Sequence, residues 1–74
     1  MTIAEAAQAV LKENGRAMNI NEIYDDIMQR NLYNFGAKNP KSVLSQAIRS
    51  KSTANQKALQ PLFKLTSRNT YELI

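Results

Sequence analysis

Apolar residues return at helical spacing three times along this 74-residue chain. In the first stretch they fall at Ile3, Ala6, Ala7, Val10 and Leu11, the i, i+3, i+4, i+7, i+8 pattern that lines one face of an α-helix. Thr2 and Glu5 open that stretch as a capping box: the Thr2 hydroxyl accepts from the Glu5 amide while the Glu5 carboxylate reaches back. Asn14-Gly15 supplies a left-handed stop. The same spacing recurs at Ile20, Ile23, Tyr24, Ile27 and Met28, behind a second capping box formed by Asn19 and Glu22. A third stripe runs through Pro40, Val43, Leu44, Ala47 and Ile48. Asn39 is its expected N-cap, and proline at the first helical position loses no hydrogen bond there. Helices are therefore expected over about 2–14, 20–31 and 40–50.

Towards the end the period shortens. Leu62-Phe63-Lys64-Leu65 and Tyr71-Glu72-Leu73-Ile74 are apolar, aromatic-containing runs separated by a polar turn. They predict a β-hairpin over about 62–65 and 70–74, entered at Pro61, with Asn69 taking the positive φ of the turn. A hairpin of two strands is not stable alone and must pack on the helices. Arg16-Ala17-Met18 is short and extended, a single edge strand near 16–18. Lys51–Gln60 is polar and aperiodic, a loop with room for a helical tail around Asn55–Leu59. Leu32, Tyr33 and Phe35 lie in a nine-residue connection, Asn31–Asn39, and are expected to fold down and seal the core. The order helix, strand, helix, helix, strand, strand is that of a winged helix-turn-helix, an α+β class that is mainly α. One domain, residues 1–74, is expected, and because the chain stops inside a strand pattern it is expected to be the N-terminal part of a longer protein.

Composition removes several chemistries. The chain has no cysteine, hence no disulfide framework, thiolate zinc site or nucleophilic thiol. It has no histidine, which removes the commonest metal ligand and general base. No glycine-rich phosphate loop or convergent carboxylate pair is present, so no enzyme, catalytic residue, metal, cofactor or small-molecule substrate is expected. No apolar run reaches the ~20 residues a membrane span needs, and the N-terminal stretch has neither the basic start nor the apolar block of a signal peptide. A cytoplasmic protein, nucleoid-associated if bacterial, is the expectation.

Charge changes the picture most. The net charge of +4 is unevenly placed. Residues 1–30 carry three basic side chains (Lys12, Arg16, Arg30) against five acidic ones, a balance of −2. Residues 31–74 carry seven basic side chains against Glu72 alone, a balance of +6. Such asymmetry points to a polyanion partner for the second half, against the plainer reading of a lysine-rich surface kept for solubility.

The run Ile3–Leu11, the stretch Arg16–Tyr24, Leu32-Tyr33, Lys38-Asn39-Pro40, Leu62–Leu65 and Tyr71-Glu72-Leu73 together resemble the HARE-HTH domain of ASXL-type chromatin proteins, restriction endonucleases and the RNA polymerase delta subunit. The resemblance covers nearly the whole chain. It implies a winged helix-turn-helix that binds DNA or recruits partners, in a setting such as transcription regulation or restriction-modification. Two positions depart from the family pattern. Glycine is usual in the final hairpin turn, where this chain has Ser67-Arg68-Asn69; threonine is usual before the helix-three proline, where it has Asn39.

A winged helix-turn-helix reads double-stranded DNA with its third helix. The polar side of that helix offers Ser42, Ser45, Gln46 and Arg49, with Gln46 suited to adenine and Arg49 to guanine. Lys38 and Lys41 flank its N-terminus, where free amides favour a phosphate. Lys64 and Arg68 in the hairpin are placed to touch the neighbouring backbone or minor groove, and Lys51 and Lys57 extend the positive surface. Ser42, Ser45 and Gln46 are equally what any solvated helix face carries, and Arg68 is equally an idle turn residue. Tyr24, Phe63 and Tyr71 are expected in the core rather than as stacking platforms. Glu22, Asp25 and Asp26 form an acidic face on the second helix that should point away from DNA or meet a protein partner. The competing reading is accordingly a protein-interaction winged helix that tethers a partner without touching DNA.

Overall fold

The computed structural model describes all residues, 1–74. Three helices and three strands follow in the order α1 (Ile3–Asn14), β1 (Met18–Asn19), α2 (Ile20–Gln29), α3 (Pro40–Ser50), β2 (Phe63–Ser67) and β3 (Thr70–Leu73). Both predicted capping boxes form. The Thr2 hydroxyl accepts from the Glu5 amide at 3.1 Å and the Glu5 carboxylate accepts from the Thr2 amide at 2.8 Å. Asn19 and Glu22 repeat the exchange at 2.9 and 3.0 Å. Gly15 ends α1 with φ 63°, and its amide donates to the Leu11 carbonyl.

The strands form one antiparallel sheet in the order β1-β3-β2. Met18 pairs with Tyr71, and Leu65 pairs with Tyr71 from the other side. Phe63 and Tyr71 face the helices and are fully buried, while Lys64 and Glu72 stand opposite each other on the far face. The register shifts between Leu65 and Ser67, leaving Thr66 as the extra residue of a bulge. Asn69 takes φ 55° in the turn, a position glycine usually fills. The fold is the winged helix-turn-helix expected, with 13 buried apolar residues drawn from all three helices and the sheet.

Some boundaries move, each for a physical reason. α2 ends at Gln29 rather than 31, because Asn31 turns left-handed at φ 55° and the Leu32 amide donates back to the Ile27 carbonyl. The edge strand is Met18–Asn19 rather than 16–18, since pairing to Thr70 and Tyr71 is what defines it. The first hairpin strand runs from Phe63 through Ser67 rather than over 62–65, and the second starts at Thr70 as expected but ends at Leu73. Residues 55–59 form turns and no helical tail. Asn55 accounts for this: its side chain donates to the Ser50 carbonyl and accepts from the Lys57 amide, a local alternative to helical bonding.

Two stripes are narrower than their spacing suggests. In α2, Ile20, Ile23 and Ile27 are buried, but Met28 is exposed. In α3 only Leu44 and Ile48 are fully buried. At 100° per residue Val43 lies about 120° from the midpoint of those two, whereas Ser45 lies about 80° away. Val43 is accordingly exposed and Ser45 half-buried. The aromatic connection does close over the core, with Leu32, Tyr33 and Phe35 half-buried against it.

Candidate nucleic-acid interface

α3 spans 11 residues, about 16 Å at 1.5 Å per residue. Its polar side is open. Lys41, Ser42, Gln46 and Arg49 are exposed, and no group of the chain hydrogen-bonds their side chains. Two shallow depressions border this side. One, of about 220 Å³, brings Lys41, Ser42 and Ser45 together with Asn19, Ile20 and Asn21 at the start of α2 and with Asn69 in the hairpin turn. The other, of about 290 Å³, joins Gln46 and Arg49 to Ser50, Ala54 and Asn55.

The N-terminus of α3 differs from the other two. Asn39 has φ −127° and ψ 75°, and its side chain makes no capping bond, contrary to the expectation from sequence. This backbone geometry lies away from the extended conformation that Thr2 and Asn19 adopt as caps (φ −83°, ψ 167° and φ −81°, ψ 169°). The amides of Lys41 and Ser42 find no acceptor in the chain, while Val43 donates to the Asn39 carbonyl. Free amides at a helix start attract anions, and Lys38 and Lys41 are exposed beside them.

Charge pairing is confined to the first 30 residues. Arg16 meets Glu22 at 3.5 Å and Arg30 meets Asp26 at 3.0 Å. Asp26 also accepts from the Asn14 side chain at 2.8 Å, which ties it to the end of α1. Of the acidic face only Asp25 is left without a partner. None of the seven cations from Lys38 to Arg68 makes a salt bridge. Lys41 instead lies over the Tyr24 ring, its Nζ 5.6 Å from the centroid.

The other expected residues do not all gather on this face. Arg68 is exposed and precedes Asn69 in the hairpin turn, but it does not line the first depression. Lys57 is held near the end of α3 through Asn55. Lys64 stands on the far face of the sheet opposite Glu72 and shares no depression with α3. Lys51 borders a separate, more apolar depression of about 400 Å³ with Met1, Ile3, Ala4, Tyr33 and Ala47. Asn21, Asn55 and Asn69 were not candidates from sequence. Asn21 is in the first turn of a capped helix and Asn55 in an aperiodic loop, and only tertiary packing sets them beside α3.

The family model for HARE-HTH, a helix-turn-helix domain described from ASXL proteins and restriction endonucleases, matches residues 1–73. No curated protein and no solved structure matches the chain.

Proposed function

The chain belongs to the HARE-HTH family of helix-turn-helix domains, and from that premise we propose that it is a double-stranded DNA-binding module, a targeting or regulatory unit within a longer protein. α3 enters the major groove, about 12 Å wide, with Gln46 and Arg49 at base edges. Lys38, Lys41, Ser42 and Ser45 hold the phosphate backbone beside the uncapped helix start, and Arg68 reaches the neighbouring backbone from the turn. Lys51 and Lys57 add positive charge at the far end of the helix, and Lys64 does so from the sheet.

The observation that carries this reading is the uncapped, cation-flanked N-terminus of α3, continuous with a row of polar side chains free of internal bonds. The acidic face lends little to the rival protein-tethering reading, because Glu22 and Asp26 already hold Arg16 and Arg30. That rival draws instead on the apolar depression between α1 and α3. A duplex titration over a range of salt concentrations separates the two. Neutralising about four phosphates gives a slope of log K against log salt near −3.6. No duplex binding even at low salt rules out the DNA reading and leaves tethering. No helix of the chain is long and apolar enough to cross a membrane.

A further inference from the structure

None of the cations from Lys38 to Arg68 forms a salt bridge, and among them Lys41 alone makes a cation–π contact. Its Nζ lies 5.6 Å from the centroid of Tyr24, within the range where the negative face of an aromatic ring attracts an ammonium. The ring is itself braced. Phe35 packs against it at 5.5 Å and 44°, and Tyr33 packs against Phe35 at 5.0 Å and 65°. This chain of three rings runs from α2 into the connection that leads to α3. Tyr24 is half-buried, so a ring face remains for the lysine. The other polar groups of α3 in the same depression, the Ser42 and Ser45 hydroxyls, have no hydrogen-bond partner in the chain.

We infer that Tyr24 is a positioning residue for DNA: its ring holds the Lys41 ammonium beside the depression shared by α2, α3 and the hairpin turn, so that the charge stands in place before a phosphate arrives. A free lysine loses rotamer freedom when it engages a phosphate, and a lysine already held loses less. The hydroxyl of Tyr24 has no part in this; the ring does. The inference rests on the DNA reading above and adds to it a residue that touches no nucleic acid.

The test uses the whole chain, a random-sequence 16-base-pair duplex at low salt, and the variants Tyr24→Phe, Tyr24→Leu, Lys41→Ala and Tyr24→Leu/Lys41→Ala, each shown by thermal unfolding to be cooperative. In the free protein, NMR should find the Lys41 ε-methylene protons shifted upfield by the ring in the wild type and in Tyr24→Phe, and at ordinary lysine positions in Tyr24→Leu. Tyr24→Phe should bind duplex like the wild type. Tyr24→Leu should bind two- to fivefold more weakly when Lys41 is present and no more weakly when it is alanine. Tyr24→Met replaces the leucine variant if that one does not unfold cooperatively. Ordinary Lys41 shifts in the wild type, or an equal loss with and without Lys41, overturns the inference while leaving duplex binding intact. A wild type that binds no duplex removes the DNA reading and this inference together.

Discussion

The backbone carbonyl of Asn69 accepts a 3.0 Å hydrogen bond from the amide of Ile20. That single bond fastens the hairpin turn to the first residue of α2, next to the pairing of Asn19 with Thr70. It also fixes one wall of the depression that Lys41, Ser42 and Ser45 line. The hairpin turn is therefore tied to the start of α2, and Asn69 shapes one wall of the depression beside α3.

Asn69→Gly should leave stability unchanged or slightly raised, because glycine adopts φ 55° freely. Asn69→Val should cost about 1–2 kcal/mol for a β-branched residue in the left-handed region. In a domain of this size each kcal/mol lowers Tm by roughly 4–8 °C. Thermal unfolding of the two variants checks this, and a valine variant as stable as the glycine one contradicts it.

Arg49→Ala should weaken duplex binding by about 1–3 kcal/mol and relax preference at one base position. Competition between duplexes that differ at single positions reads this out. Unchanged affinity in a folded variant moves Arg49 out of the groove.

Lys41→Ala should weaken binding to all sequences alike and reduce the magnitude of the salt slope by about one. A loss confined to certain sequences assigns Lys41 to base contact instead.

Ser52 is fully buried just beyond α3. Its hydroxyl donates to the Arg49 carbonyl at 2.8 Å and accepts from the Ala54 amide at 3.1 Å, and the residue bridges in parallel to Phe63. Ser52→Ala removes the partner of the Ala54 amide and should cost about 1–3 kcal/mol. Urea unfolding should show a lowered midpoint with an unchanged m-value; an unchanged midpoint means that water replaces the hydroxyl.

Glu5 titrates below the ordinary glutamate range, because its carboxylate accepts the Thr2 backbone amide and, secondly, because of its bond with the Thr2 side chain. Its native pKa lies below its unfolded value, so its contribution is complete above the unfolded value and disappears as pH falls through the native one. Between neutral pH and acid, the stability difference between wild type and Glu5→Gln should shrink. Unfolding midpoints of both proteins across that range test it; a difference independent of pH assigns the cap to geometry alone.

The helices were legible because each stripe came with its own start signal, and Gly15 and Asn69 fixed turns through backbone chemistry that only a few residues tolerate. The open side of α3 followed from the same periodicity: Gln46 and Arg49 fall opposite Leu44 and Ile48 and are exposed as expected. What escaped depends on packing between elements. Met28 and Val43 sit at the edges of stripes that the small core does not fully cover. Asn39 has the side chain of a cap but not the backbone angles. Ser52 and Asn55 lie in a segment with no period, and the bonds they make to α3 are invisible until the chain turns back on itself.

Because both ion pairs lie within the first 30 residues, the seven cations from Lys38 to Arg68 keep charges that no carboxylate of the chain neutralises. Unpaired charges of this kind are attracted by a polyanion's field at a distance, which raises the rate of encounter. Much of the ionic-strength sensitivity should then appear in how fast complexes form rather than in how long they last.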